Sequence, residues 1–324
     1  MNLEISEENI NKWAQLGSRA TYGLTLLNLA ESNSSFLVAS ADLGNSSGLD
    51  RFKNSFPDRF INLGIAEQNM IGVASGMSFS GQTIFVSSFA PFISLRAAEQ
   101  MRIDLGYMQA NVKAVGIGSG LAMTFLGNTH FGLEDIGVIR SIPGIKIVSP
   151  ADCLEIVKTI EKMLVTPGPF YIRLTGIPNY GKVYNKDYEF ELGKSVTLRS
   201  GNDIGIIATG SSVSESIKAA NILEHNSISA TVINMHTIKP IDYEAVVELT
   251  RTVKLIVTVE EHSIIGGTGS AVSEILSELK TKPPLLRIGL PDSFVETGEY
   301  EYMLKLYGID AEGISKKILK FLDR

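Results

Sequence analysis

The amino-acid sequence predicts an α/β fold of two doubly wound domains. Apolar residues alternate along the whole chain between helical spacing and short β-rich runs, the rhythm of helices layered on a mainly parallel sheet. That rhythm halts once, in TGIPNYGKVYNKDYEFELGK, where Gly176, Pro178 and Gly181 break helices and neither period survives. The length of 324 residues, at roughly 150 per domain, agrees with a first domain over 1–178, a link over 179–194 and a second domain over 195–324.

Each element has its own signal. A first helix carries Ile10, Trp13, Gly17, Ala20, Leu24 and Leu27 on one face, and SNSS (32–35) ends it. The strands FLVASADL and RFINLG follow, then the small-residue helix IAEQNMIGVASGMSFS, the strand TIFVSSFA and the helix SLRAAEQMRIDLGYM. VKAVGIG, a loop, the helix FGLEDIGVIRSI, the strand IKIVS, the helix ADCLEIVKTIEKML and the strand FYIRL complete the first unit. After the link, DIGIIATG, a helix opened by Ser211 or Ser212, SATVIN, a helix following KPIDYEA, KLIVTVEEH, the helix GSAVSEILSEL and LLRIGL repeat the pattern. A helix around Ile314, Ile318, Phe321 and Leu322 closes the smaller unit.

Composition narrows the function. Hydrophobic residues at 44% and charged residues at 20% exclude a disordered or fibrous chain. No apolar run approaches the roughly 18 residues of a spanning helix, and the polar, acidic start MNLEISEENINKW is unlike a signal peptide, so a cytoplasmic protein away from membranes is expected. The single Cys153 excludes an internal disulfide and reads as a buried small hydrophobe. With 29 Lys plus Arg against 35 Asp plus Glu, the net charge of -6 repels nucleic acid, so an anionic substrate needs a local cluster of donors.

Few motifs carry chemistry. GIGSG (116–120) and GGTGSA (266–271) lack dinucleotide spacing and read as close backbone packing, and the histidines at 130, 225, 236 and 262 lack metal-ligand spacing, so no metal site is expected on this chain. His225 suits a helix end, and His236 and His262 suit structural or interfacial places. His130 stands in LGNTHFG after a predicted strand, where α/β folds bind ligands. Glu67 opens a helix directly after a strand, with Gly64, Ala66, Gly72, Ala74 and Gly76 leaving room for close packing. Pattern alone leaves open an ordinary first-turn charge stabilised by the helix dipole.

FINLGIAEQNMIGVASGMSFSGQTIFVSSFAPF and THFGLEDIGVIRSIPGIKIVSPAD resemble the C-terminal half of transketolase, and NMHTIKPID and VEEHSIIGGTGSAV extend the resemblance over nearly the whole chain. It implies a thiamine diphosphate pyrimidine-binding domain followed by a transketolase C-terminal domain. The family's diphosphate-binding domain, with its G-D-G motif and metal-holding Asp and Asn, is not in these residues. The chain therefore resembles the second subunit of a split transketolase, whose separate N-terminal-half partner holds the diphosphate and Mg2+ (or Ca2+), in an assembly of two copies of each.

The resemblance also implies roles. Glu67 would bond the cofactor's pyrimidine nitrogen, a task suited to a desolvated glutamic acid, because a proton donated there favours the imino tautomer that activates the thiazolium carbon. Phe92, with Phe89 beside it, would stack on that ring, and Leu95 stands where a third aromatic would be. Asp42 would lie near the cofactor, Arg19 and Ser46 would hold a substrate phosphate, and His130 would contact the donor sugar's hydroxyls. Three positions depart. A phosphate-binding His falls at Gly118, a second phosphate Arg at about Gly176, and a hydroxyl-reading Asp at Leu126, so a modified anionic ketose is expected, seated in the space those glycines open. Ketol transfer to an aldose is the leading expectation. A decarboxylating relative and a noncatalytic homologue are its rivals.

Overall fold

The computed structural model describes residues 3–175 and 181–323. The predicted first helix is two helices, α1 (Glu7–Leu16) and α2 (Ser18–Ser32), because Gly17 between them has φ 82°, a backbone conformation outside any helix. The break lets Ile10 and Trp13 of α1 enter the same core as Tyr22 and Leu26 of α2. Next come β1 (Phe36–Ser40), α3 (Asp50–Ser55), β2 (Phe60–Asn62), α4 (Glu67–Ser78) and β3 (Thr83–Phe89). The helix after β3 is irregular: wide i→i+5 turns over Phe92–Arg96 and Met101–Tyr107 flank α5 (Ala98–Gln100). Then follow β4 (Val112–Ile117), α6 (Asp135–Ser141), β5 (Lys146–Val148), α7 (Cys153–Val165) and β6 (Phe170–Leu174).

The second half contains β7 (Val196–Arg199), β8 (Ile204–Ala208), α8 (Ser212–His225), β9 (Ala230–Asn234), β10 (Thr237–Lys239), α9 (Tyr243–Thr252) and β11 (Leu255–Ser263). It ends with α10 (Thr268–Glu278), β12 (Leu285–Leu290), α11 (Tyr300–Tyr307) and α12 (Ala311–Leu322). Among the described residues the strands form one sheet of seven, in the order β10-β5-β6-β4-β3-β1-β2, and one of five, in the order β12-β11-β8-β9-β7. Both are parallel except at one edge each, where β10 runs against β5 and β7 against β9. β10 belongs to the second half of the chain yet completes the sheet of the first. β3 is buried along its whole length, as expected of a strand covered on both faces.

The strand order reverses within the large sheet between β1 and β3, since β2 is added on one side of β1 while β3 and β4 lie on its other side. The crevice beyond the carboxyl ends of β1 and β3 is therefore the switch point at which such sheets bind ligands.

Buried polar groups join the halves. Arg173 of β6 donates from Nε to both oxygens of Asp135, at 3.1 and 3.0 Å, and from Nη2 to the carbonyls of Gly132 (2.8 Å) and Glu261 (2.7 Å). His262 is fully enclosed beside Asp135; its Nδ1 donates to the carbonyl of Ser263 at 2.7 Å and its Nε2 accepts from the Gly137 amide at 3.4 Å, and burial holds the imidazole down to about 4. Glu260 accepts the Thr268 and Gly269 amides at the start of α10, and burial pushes its carboxyl up to about 7.

Residues 181–194 carry neither helix nor strand but are fastened to α7: the Val183 and Tyr184 amides donate to Asp152 at 2.9 and 2.8 Å. The stacked rings of Tyr184 and Tyr188 deliver their hydroxyls to Glu155, which also accepts from Asn234 of β9. His236 lies under Phe190, with ring centroids 4.4 Å apart, and burial lowers it to about 4. Both His236 and His262, expected in structural or interfacial places, are fully buried. Cys153 is enclosed, its thiol pushed up to about 12 by burial. The glycine-rich turns are packing devices: a Cβ on Gly116 would stand 2.3 Å from the Tyr171 hydroxyl, and one on Gly267 2.0 Å from a Glu260 oxygen.

Candidate active site

The switch-point crevice gathers side chains from the ends of β1, β2, β3 and β4. β3 ends in Phe89, and the chain turns at Pro91 into the wide turn that begins with Phe92. Beyond β4, the loop 118–132 folds back and sets His130 against both rings, with centroids 5.7 Å from Phe89 and 5.1 Å from Phe92. The two phenyl rings are 5.9 Å apart and edge to face, the favoured aromatic geometry. The Thr129 hydroxyl bonds His130 Nδ1 at 2.9 Å, which restrains the ring and leaves Nε2 as its second polar atom.

Glu67 stands in the first turn of α4 and is only 1% exposed. Its Oε1 accepts from the Ser88 hydroxyl at 3.1 Å and its Oε2 from Arg96 Nη1 at 2.8 Å. The guanidinium of Arg96 also lies on the Phe92 ring, 4.1 Å from its centroid. One charged group thus bridges the carboxylate and the aromatic face. Nothing lies within 4 Å of where a Cβ on Gly64 would stand, so the approach to the start of α4 is open on that side.

Asp42 follows β1 with φ 60°, an unusual backbone for a residue with a side chain. Asn62 at the end of β2 holds it there: Asn62 Oδ1 accepts the Asp42 amide at 2.9 Å and its Nδ2 donates to Asp42 Oδ1 at 3.0 Å. Arg19 on α2 meets the loop after β1 by donating to the carbonyl of Ser46 at 3.2 Å, so the side chain of Arg19 and the backbone of Ser46 are joined.

The loop bearing His130 is pinned by the second half. Asn128 and Val295 exchange two hydrogen bonds, at 2.7 and 3.0 Å. Glu261 accepts the Leu121 amide at 2.6 Å with one oxygen, and the hydroxyls of Tyr300 (2.6 Å) and Ser211 with the other. Leu126 is 49% exposed and its neighbour Phe125 is 81% exposed, so this loop presents an apolar rim.

One expectation is corrected here. Gly118 was expected to open space in the crevice, but a Cβ there would stand 2.6 Å from Met123 Sδ, and its φ of 66° disfavours any side chain. The thioether of Met123 fills the volume. Gly176 lies outside the described residues.

The structure brings Phe89, Phe92 and His130 together and sets Glu67 beneath them through Ser88 and Arg96. Sequence reasoning missed Arg96, Ser88, Asn62 and Met123. Arg96 is 29 residues from Glu67, and no local period links them; Asn62, directly at a strand end next to a glycine turn, is the one that its position in the fold could have revealed.

A buried carboxylate beside a phenyl ring is the donor–acceptor and stacking pair that a flat heteroaromatic ring would use, and Arg96 now lies across both. Among the described residues no group of three or more His, Cys, Asp or Glu side chains is placed to hold a metal ion, and no helix is long and apolar enough to cross a membrane.

Residues 14–177 match the family description "Transketolase, pyrimidine binding domain" and residues 193–314 match "Transketolase, C-terminal domain". The chain is 38% identical to one of the subunits of the apulose-4-phosphate transketolase of Phocaeicola vulgatus, over 95% of this chain and 98% of that one. It is 38% identical to a 6-deoxy-6-sulfo-D-fructose transketolase subunit of Clostridium sp. (strain MSTE9), over 94% of each. A solved structure described as a split gene transketolase, inactive beta4 tetramer, superposes with a TM-score of 0.85 at 36% identity, covering 94% of this chain and 97% of that one. With both halves matched and subunit-length relatives at this identity, the chain belongs to the transketolase family.

Proposed function

We propose that this chain is the pyrimidine-binding subunit of a two-chain, thiamine diphosphate-dependent transketolase that moves a two-carbon ketol unit from a modified anionic ketose to an aldose. The observation that carries the reading is Glu67, a buried carboxylate at the switch point beside the Phe89, Phe92 and His130 cluster, in a chain that spans 98% of a relative named as a transketolase subunit.

In this reading Glu67 bonds the pyrimidine, Phe92 stacks on it with Phe89 behind, and Asp42 borders the cofactor in the backbone pose that Asn62 enforces. When bound, the thiazolium supplies the nucleophilic carbon and the electron sink for carbon–carbon cleavage. This chain's residues orient and exchange protons around it. Glu67 holds the proton that the pyrimidine requires. His130, fixed through Nδ1, uses Nε2 to bind a donor hydroxyl and share its proton. Arg19 and Ser46 grip the anionic end.

The diphosphate and its Mg2+ or Ca2+ are assigned to a separate diphosphate-binding subunit, in an assembly of two copies of each chain. Leu126 supports a modified substrate, since an apolar residue stands where the family's hydroxyl-reading Asp falls. Relatives named for apulose-4-phosphate and for 6-deoxy-6-sulfo-D-fructose support the same reading.

The test is reconstitution. The isolated chain is expected to leave thiamine diphosphate and Mg2+ unbound in calorimetry, and the mixture with the diphosphate-binding subunit to bind both and transfer ketol units within a panel of modified ketoses. Tight magnesium-dependent binding by this chain alone would overturn the split reading. Carbon dioxide release from a 2-oxo acid, without ketol transfer, would move the chain to the decarboxylating relatives.

A further inference from the structure

We infer that Arg96 is a placeholder for the cofactor's pyrimidine ring: it makes both of the contacts that the ring would make and must leave for the ring to enter. The inference rests on the proposed function, because the two contacts are the ones that reading gives to the pyrimidine.

A carboxylate as enclosed as Glu67 is costly without a counter-charge. Ser88 supplies one neutral hydrogen bond to Oε1, which does not offset a full charge. The compensating group is Arg96, which reaches Oε2 at 2.8 Å. Its guanidinium covers Phe92 at 4.1 Å, in cation–π contact. Phe92 and Arg96 are four residues apart in the wide helical turn Phe92–Arg96, a spacing that sets both on one side.

Both oxygens of Glu67 are engaged and the open face of Phe92 is covered. A heteroaromatic ring that hydrogen-bonds Glu67 while stacking on Phe92 therefore competes with Arg96 for Oε2 and for the ring face. The other end of the exchange is inexpensive: the Arg96 side chain is 46% exposed and regains full hydration on swinging outward. Arg96 thereby keeps the pocket closed and Glu67 neutralised until the ring arrives. It is a positioning residue for Glu67, and it lowers cofactor affinity while raising the stability of the empty subunit.

Opposite signs in two measurements distinguish this role from ordinary structural support. Arg96→Gln is expected to lower the melting temperature of the isolated chain by roughly 2 to 6 °C, and Glu67→Gln added to it to restore most of that loss. In the complex with the diphosphate-binding subunit, the same Arg96→Gln is expected to bind thiamine diphosphate with Mg2+ about 3- to 10-fold more tightly by calorimetry, the release of a half-exposed ion pair. Arg96→Lys keeps the charge but covers Phe92 less well, and should fall between wild type and Gln, which keeps the idea testable if Gln misfolds. Weaker binding by both variants, beside a wild-type complex that binds normally, would overturn the placeholder and leave the proposed function standing. A wild-type complex that binds no thiamine diphosphate would overturn both.

Discussion

Met123 decides what can stand at position 118. The thioether fills the volume that a Cβ would need, and the positive φ of Gly118 separately penalises any side chain, so the cation that the family places there is barred twice. Gly118→Ala should destabilise by about 1 to 2 kcal/mol in chemical denaturation, and Met123→Ala should recover only the part owed to the clash. Leu126 tells a complementary story. Its exposed apolar side chain cannot accept a hydrogen bond from a sugar hydroxyl, and that hydroxyl loses roughly 1 to 3 kcal/mol when desolvated without a partner. Leu126→Asp should therefore raise kcat/KM for an unmodified ketose phosphate, relative to the native donor, by about 5- to 150-fold. An unchanged ratio in steady-state kinetics on the reconstituted complex would assign donor choice to other residues. Arg19→Ala should raise KM for anionic donors far more than for neutral acceptors such as glycolaldehyde.

The loop carrying His130 is the element whose placement matters most, and the second half of the chain supplies its anchors. Asn128→Ala removes both bonds to Val295. Amide exchange over residues 121–130 should quicken while the core strands stay protected, and KM for the donor should rise, since His130 then samples more positions. Sequence periodicity made the principal strands and helices legible because each has enough residues to show a period. It could not show that Gly17 divides α1 from α2, because a glycine also fits the small face of one long helix. The places of β7 and β10 are set by the edges of sheets formed elsewhere in the chain, so no local run marks them as strands. In the candidate site, Glu67, Phe89, Phe92 and His130 stand in sequence motifs and the structure gathers them, whereas Arg96, Ser88 and Asn62 act through contacts 20 to 29 residues away and are fixed only by packing.

The whole molecule is held together by enclosed polar groups that respond to pH in opposite senses. His236 and His262 are lowered to about 4, so their contribution is complete above pH 6.5 and is lost as pH falls toward 4. Glu260 and Asp152 are raised to about 7 and about 6, so they retain a proton in the folded state that the unfolded chain has released, and their contribution fades as pH rises through that range. The two effects offset each other near pH 5 to 6. His262→Gln removes one of the two histidines, and the variant should gain on the wild type by roughly 2 to 3 kcal/mol between pH 6.5 and 4.5 in urea titrations; parallel profiles would mean that His262 adds nothing to the pH dependence. The strand β10 adds a different kind of bond between the halves. Because this arm of the second half is laid along β5 at the rim of the first sheet, severing the backbone in the stretch between the halves should not set them free. A nicked molecule should travel as one particle through gel filtration. For the same reason neither half is a sealed module: taken alone, the first would carry a bare strand edge and the second a clasp with nothing to close on.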